Sequence, residues 1–219
     1  MSRNKIDRIL AAIEKVGVIA CMRGGFTVDT SLRVAEALIE VGANVFEFTM
    51  NSSDPVNTLK ALKKEFKDDC IVGMGTVLTL EEAEAVLDAK ADFVMAPCFD
   101  PIIFNKIHSA GVLMAPGVTT PTEAVAAHQA GARLLKLFPV GPIGVEYLRA
   151  VRGPLNNFKF FCDGRIPIHK LKDFIAAGAV GCGQVESLTG DGTEDPEVIK
   201  QKAIKLLADI KEARECIKQ

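Results

Sequence analysis

Short apolar runs alternate with amphipathic segments along the whole chain, and most of the turns between them contain glycine or alanine. The runs NVFEFTM, DFVMAP and RLLKLFP each follow such a turn, and Val41-Gly42-Ala43 is one example. Glycine after a helix readily adopts the left-handed conformation that ends it. Apolar runs alternating with helices are typical of parallel strands that are buried on both faces.

This pattern predicts eight strands, near residues 17–22, 44–50, 70–75, 92–96, 112–116, 133–138, 158–162 and 179–183. The predicted helices lie near residues 3–15, 28–41, 54–66, 79–89, 100–109, 121–130, 143–152, 167–177 and 196–217. No linker or change of composition divides the chain, so we predict one α/β domain over residues 1–219: a (β/α)8 TIM barrel with an extra N-terminal helix. An open doubly wound sheet is disfavoured because Met22-Arg23-Gly24-Gly25 lacks a G-x-G-x-x-G phosphate loop.

The charge and hydrophobicity of the chain argue against nucleic acid and membranes as partners. The chain has 219 residues, a net charge of −2 and a pI near 6.0, which give no basic surface for nucleic acid or anionic membrane. No apolar run reaches the roughly 20 residues that span a bilayer, and the N-terminus does not resemble a signal peptide. We therefore expect a cytoplasmic protein, in which the six cysteines are reduced.

Lys136 is the most unusual residue of the pattern, because it lies in the middle of the strand Leu134–Phe138. Barrel strands are buried on both faces, and burial disfavours a charged ammonium, so we expect a lowered pKa. A neutral amine is the nucleophile that Schiff-base chemistry requires. The alternative is a lysine that reaches solvent or pairs with a buried carboxylate.

Glu47 is the corresponding acid, flanked by Phe46 and Phe48 in the second predicted strand. A carboxylate in the barrel interior near Lys136 would suit the proton transfers of carbinolamine dehydration and C–C cleavage. It can instead serve as a salt-bridge partner that neutralises the lysine, and the two roles can coexist.

Other polar residues stand at the carboxyl ends of strands, where barrel active sites lie. Thr49, Asn51 and Thr76 can bind a substrate carboxylate, or they can cap helices. Arg23 follows the first strand and can hold a carboxylate or phosphate, or lie on the surface.

The seventh and eighth strands end in residues suited to an anion. The backbone at Gly164 and Gly183 can approach one closely, and Arg165 adds positive charge. Together with Asp163 and Gln184, these residues predict an acidic tail on the substrate. The three histidines fall on predicted helices rather than at strand ends, so we expect no metal site and no cofactor.

These residues occur in an order that resembles the 2-keto-3-deoxy-6-phosphogluconate (KDPG) and 4-hydroxy-2-oxoglutarate (KHG) aldolases. The resemblance runs from about Val18 to Gln184 through VIACMRG, FEFTMNSSDP, VGMGTVLT, APC, APGVTTPTEA, LLKLFPV and VGCG. It implies a metal-free class I lyase that has a (β/α)8 barrel, forms a homotrimer and releases pyruvate from a small keto acid.

The resemblance also assigns roles to single residues. Lys136 matches the Schiff-base lysine, and Glu47 matches the acid/base. Thr76 and Pro97 match residues that line the pyruvate site. Arg23 matches an arginine that contacts the substrate, and Phe138 matches an aromatic residue beside the lysine.

The chain departs from the family pattern in three places. Asn51 stands where the phosphogluconate branch has arginine, and Asn51-Ser52 looks more like the 6-phosphogalactonate (KDPGal) branch, as does the segment 144–148. Asp163-Gly164-Arg165 replaces Thr-Gly-Gly or Val-Gly-Gly, and Gln184 replaces a serine. These departures leave the lysine chemistry intact but alter two familiar phosphate contacts.

Three functions remain open on this sequence. The leading one is cleavage of KDPG or 4-hydroxy-2-oxoglutarate, or of KDPGal, to pyruvate and an aldehyde. The second is another Schiff-base reaction of a keto acid, such as decarboxylation or dehydration. The third is a non-catalytic barrel that binds an acidic metabolite. The loop 189–196 can cover the site or simply connect two elements.

Overall fold

A computed structural model of the protein describes residues 2–217. Its strands are β1 (Val18–Met22), β2 (Val45–Thr49), β3 (Ile71–Gly75), β4 (Phe93–Met95), β5 (Leu113–Ala115), β6 (Gly117–Val118), β7 (Leu135–Leu137), β8 (Phe160–Cys162) and β9 (Gly181–Gln184). Its helices are α1 (Ser2–Val16), α2 (Val28–Glu40), α3 (Pro55–Phe66), α4 (Leu80–Asp88), α5 (Pro101–Ser109), α6 (Pro121–Gln129), α7 (Val145–Arg152), α8 (Leu171–Ala176), α9 (Glu186–Thr189) and α10 (Pro196–Ile217).

The strands form one parallel sheet in the order β5-β4-β3-β2-β1-β9-β8-β7-β6. Its two end strands, β5 and β6, are consecutive in the chain and are separated only by Pro116. The sheet is therefore a nearly closed barrel, and it confirms the predicted fold. The fifth predicted strand, 112–116, is confirmed as β5, and the short strand β6 that follows Pro116 was not predicted. Pro116 interrupts the ladder because proline has no N–H, although its carbonyl still accepts from Lys136 N at 2.9 Å.

Helix starts follow local sequence signals. Thr79 and Thr120 cap α4 and α6, and in each case a glutamate three residues later closes a capping box. Pro101 stands in the first turn of α5, where its missing N–H costs nothing. The predicted helices are confirmed, although the one near residues 167–177 begins with the 3-10 turn Ile168–Lys170. The short helix α9 was not predicted.

Helix α1 closes the amino-terminal end of the barrel. Its apolar residues Ile6, Ile9, Leu10 and Ile13 pack in one cluster with interior side chains of the strands, including Phe93. A second, larger cluster lies between the strands and the outer helices. Because one end is filled with apolar side chains, the open end of the barrel is the one at which the strands terminate.

The loop 189–196 connects α9 to α10 and is held by several hydrogen bonds. The hydroxyl of Thr189 donates to Cys21 O at 3.2 Å. The Arg33 guanidinium donates to Gly192 O, and Lys202 pairs with Glu194 at 2.7 Å. None of the residues 189–196 lines the cavity described below, so in this structure the loop is a connection rather than a cover.

Candidate active site

Lys136 lies in the middle of β7, between Gly117 of β6 and Phe161 of β8 in the strand register. The residue is 5% exposed. Its Nζ lies 2.6 Å from Oδ2 of Asp163 and 5.2 Å from the centroid of the Phe138 ring. The amine therefore has a carboxylate on one side and an aromatic face on another, both of which stabilise a cation.

Asp163 directly follows β8 and is fixed in place by its surroundings. Its Oδ1 accepts a hydrogen bond from Gly164 N at 2.7 Å, which leaves Oδ2 for Lys136. A side chain at Gly183 would crowd it, because a Cβ there would lie 2.5 Å from Oδ1. The glycine of β9 thus makes the room in which this carboxylate meets the lysine.

Glu47 extends from β2 into the barrel interior, where it is 2% exposed. Its space depends on Gly75 of β3, since a Cβ there would lie 1.8 Å from Glu47 Oε1. Its Oε2 has no hydrogen-bond partner among the residues that the structure describes. A buried carboxylate oxygen without a partner is costly, which makes it a natural contact for a substrate hydroxyl or a water.

Charge determines the protonation of Lys136. Burial alone would lower the pKa of the ammonium, as the sequence led us to expect. The carboxylates of Glu47 and Asp163 outweigh that effect, so the pKa of Lys136 lies above its ordinary value. The expected lowered pKa is therefore wrong for the unliganded protein. Lys136 rests as an ammonium and must lose a proton before it can attack a carbonyl.

Burial acts on the pKa of the neighbouring acid, Glu47, in the direction opposite to its effect on the lysine. It raises the pKa of Glu47 above the ordinary value, and this effect exceeds the opposing attraction of Lys136. Glu47 therefore accepts a proton more readily than an exposed glutamate does, which suits a general base. Two carboxyl groups in different environments surround one amine, a typical arrangement for divided acid and base roles.

These residues line a cavity of about 190 Å³ at the carboxyl ends of the strands. Most of the predicted site residues line it. The predicted residues on its wall are Arg23, Glu47, Thr49, Thr76, Pro97, Lys136, Phe138, Asp163, Gly164 and Arg165. Sequence reasoning missed four further lining residues, Cys21, Pro139, Pro142 and Val185. Pro139 and Val185 directly follow the predicted residues Phe138 and Gln184, whereas Cys21 and Pro142 are not adjacent to any predicted site residue.

The first three strands contribute a polar side to this cavity. The Arg23 guanidinium donates to the Thr76 hydroxyl at 3.3 Å. Thr49 and Ser52 share a hydrogen bond of 3.0 Å, and Ser52 also accepts from Gly24 N. Thr76 has a φ of 60°, a left-handed backbone that is strained for a β-branched residue and is often found at ligand sites.

Arg165 gives the opposite side of the cavity its positive charge. Its φ of 56° is also left-handed. Among the residues described in the structure, no hydrogen bond or ion pair involves its guanidinium, although the residue is exposed and borders the cavity. The guanidinium is thus available to an anion that enters.

Three predicted substrate-binding residues do not line the cavity. Asn51 is exposed beyond it, and Gly183 acts indirectly by making room for Asp163. The amide of Gln184 donates to Ile166 O at 3.1 Å and Gly183 O at 3.0 Å, and it accepts from Ser187. These bonds occupy the Gln184 side chain, and its contact with a substrate stays a prediction.

The ligand sets of metal sites consist of clustered histidine, cysteine and carboxylate side chains. Residues 2–217 contain no group of three histidine, cysteine, aspartate or glutamate side chains placed to hold a metal ion. His108 stacks on Phe104, and His128 stacks on Phe158. Within the same range, no helix is long and apolar enough to cross a membrane.

Comparison with known proteins agrees with this geometry. Residues 6–202 match the model of the KDPG and KHG aldolase family. The chain belongs to this family. The matched range includes Lys136, Glu47 and Asp163, and membership of the KDPG and KHG aldolase family makes the chain a lyase.

Individual members of the family are similar over most of their length. A probable 2-dehydro-3-deoxy-6-phosphogalactonate aldolase of Rhizobium meliloti is 32% identical over 93% of this chain and 95% of its own. A 2-dehydro-3-deoxy-phosphogluconate aldolase of Treponema pallidum is 30% identical over 80% of this chain and 83% of its own. A solved structure described as native KDPGal superposes with a TM-score of 0.84 and 28% identity, covering 90% of this chain and 96% of that one.

Proposed function

We propose that this aldolase cleaves a 2-keto-3-deoxy-6-phospho sugar acid to pyruvate and glyceraldehyde 3-phosphate through a Schiff base on Lys136. The observation that carries the proposal is the buried amine of Lys136 on the wall of a cavity that it shares with two carboxyl groups, Glu47 and Asp163. Family membership supports the reaction class, and the two guanidinium groups of Arg23 and Arg165 suit a substrate with anionic groups.

The proposed reaction uses the amine of Lys136, which becomes an electron sink once it has formed an iminium with the substrate. Lys136 attacks the C2 carbonyl, and loss of water gives an iminium that withdraws electrons from the C3–C4 bond. Glu47, directly or through water, removes the proton of the C4 hydroxyl as that bond breaks. The aldehyde leaves, and the remaining enamine is reprotonated at C3 and hydrolysed to pyruvate.

The galactonate configuration of the substrate is the better supported one. The phosphogalactonate relative from Rhizobium meliloti aligns with 93% of the chain, whereas the phosphogluconate relative from Treponema pallidum aligns with 80%. Asn51 also lacks the guanidinium expected of the phosphogluconate branch. The two substrates differ in configuration at C4, where the hydroxyl would meet Glu47, so the same residues can perform either cleavage.

We also propose that the enzyme is a cytoplasmic homotrimer, which rests on the resemblance to its family. Light scattering of the purified protein tests the trimer directly. A single species of about three times the chain mass of 23.5 kDa is expected, and a monomer would contradict it.

The function is tested by incubating the protein with KDPG, KDPGal and 4-hydroxy-2-oxoglutarate and measuring pyruvate and aldehyde separately. Equal amounts of the two products are expected, with the highest kcat/KM for KDPGal. A keto-acid product without an aldehyde would indicate decarboxylation or dehydration instead. Tight binding of all three compounds without turnover would indicate a binding protein.

A further inference from the structure

The carboxylate in contact with the reacting nitrogen is Asp163, not Glu47. Asp163 Oδ2 lies 2.6 Å from Lys136 Nζ, and the two residues are 7% and 5% exposed. No hydrogen bond joins Glu47 to Lys136, and Glu47 Oε2 has no partner among the described residues. Asp163 therefore forms an ion pair with the amine of Lys136, whereas Glu47 does not.

Asp163 is also held rigidly. Its backbone N–H donates to Leu137 O at 3.1 Å, and its carbonyl accepts from Val140 N at 2.9 Å, which ties it to the strand and loop that carry the lysine. Gly164 N orients Oδ1, and the absence of a side chain at Gly183 leaves the space. A proton acceptor fixed within hydrogen-bond distance of its donor needs no rearrangement before transfer.

We propose that Asp163 is a second catalytic carboxylate, which accepts protons from Lys136 during imine formation while Glu47 serves the C4 hydroxyl during cleavage. This inference rests on the proposed Schiff-base function and deepens it. It gives a chemical role to the position at which the sequence departs from the family motif.

The protons balance through this pathway. The ammonium gives one proton to Asp163, and the nitrogen lone pair forms the N–C2 bond while the carbonyl π bond breaks. A second proton moves from the nitrogen to the former carbonyl oxygen, and Asp163 passes the first proton to the same oxygen. The two protons that the nitrogen loses therefore leave with this oxygen as water. The C2–O bond breaks, the iminium carries the positive charge, and Asp163 is again a carboxylate paired with it.

Other titratable groups around the pair do not replace Asp163. Cys21 of β1, Cys162 of β8 and Cys182 of β9 are buried, and burial raises the pKa of each thiol, so they stay neutral. Arg23 after β1 is a permanent cation. Glu47 of β2 is the remaining base among the described residues, and no hydrogen bond or ion pair joins its carboxyl group to Lys136.

The test is the rate at which pyruvate and borohydride modify Lys136 in Asp163→Asn, Asp163→Ser and the wild type, between about pH 6 and 9. With Asp163 present, the trapping rate should change little over this range. Without it, the pKa of Lys136 falls, but the ammonium must lose its proton to solvent base, so the rate should rise with pH and be about 100-fold lower at pH 7. Asp88→Asn, at the exposed end of α4, is the matched control and should behave like the wild type.

The outcomes separate this inference from the function on which it rests. No adduct on wild-type Lys136 would overturn both. A normal wild-type adduct together with equal or faster trapping in both variants, at an unchanged pH dependence, would overturn only the role of Asp163 and leave it as a structural ion pair. The serine variant keeps the test decisive if the asparagine variant does not fold.

Discussion

Glu47 occupies the space that a side chain at Gly75 would need. A Cβ at Gly75 would lie 1.8 Å from Oε1 of Glu47 and 2.6 Å from its carboxyl carbon. The glycine of one strand therefore determines where the acid of the neighbouring strand can stand, and this relationship can be tested by substitution.

We expect Gly75→Ala to displace the Glu47 carboxylate and lower kcat by at least about tenfold, because proton transfer requires hydrogen-bond distance. The extra methyl group in a packed interior should also destabilise the fold by about 1–3 kcal/mol. Turnover and thermal unfolding measure the two effects. Gly153→Ala is the control, since its Cβ would meet no atom closer than 3.4 Å. Wild-type turnover in Gly75→Ala would show that the position of Glu47 is not critical.

Glu47→Gln should separate cleavage from imine formation. Loss of the general base is expected to reduce turnover by about 10²–10⁴-fold, while borohydride still traps pyruvate on Lys136. Turnover assays and mass spectrometry of the trapped protein provide the two readouts. Equal loss of trapping and turnover would instead show that Glu47 acts on the amine of Lys136 during imine formation.

The raised pKa of Glu47 predicts how stability depends on pH. Between the ordinary value of 4.5 and the folded value, the folded protein binds more protons at Glu47 than the unfolded chain does. The stability linked to this proton is present below 4.5 and is lost as pH rises through the folded pKa, at about 1.4 kcal/mol per unit of elevation. Glu47→Gln should therefore gain stability relative to the wild type as pH rises. A Tm difference that is constant with pH would contradict this.

Removal of the lysine alone should destabilise the barrel. Lys136→Met leaves the Asp163 carboxylate buried without a counter-charge, which typically costs about 3–5 kcal/mol. Adding Asp163→Asn should recover much of that loss, because an amide is less costly to bury than an unpaired charge. Denaturant unfolding of the single and double variants measures the coupling. Additive effects of the two substitutions would show that the ion pair carries no coupling energy.

Arg165→Gln should weaken binding of the substrate tail. Loss of a charge-assisted hydrogen bond of about 1.5–3 kcal/mol corresponds to roughly a 10–150-fold increase in KM. The rate of pyruvate trapping should not change, because pyruvate has no phosphorylated tail. Arg149→Gln, which removes an exposed pair with Glu146, is the control. An unchanged KM would show that another group holds the tail.

The fold was largely predictable from sequence, because glycine-containing turns and buried apolar runs alternate with helices along the whole chain. The position of Lys136 in a buried strand was equally visible. Its contact with Asp163 was not, since the distance depends on how β7 and β8 pair and on the missing side chain at Gly183. The direction of its pKa shift was wrong for the same reason: it depends on nearby charges that a strand pattern does not reveal.

The hydrogen bonds of the Gln184 side chain also could not be predicted from the sequence. Its place at a strand end predicted a substrate contact, and that role stays a prediction, but its amide is occupied by Ile166, Gly183 and Ser187. Hydrogen-bond competition of this kind depends on the surrounding backbone, which the residue types alone do not specify.

The Schiff base on Lys136 is tested most directly by reducing the enzyme with borohydride in the presence of pyruvate, followed by peptide mass spectrometry. Borohydride converts an imine to a stable secondary amine, so we expect one reduced pyruvate per chain, located on Lys136. No adduct, or adducts spread over surface lysines, would contradict the Schiff-base mechanism.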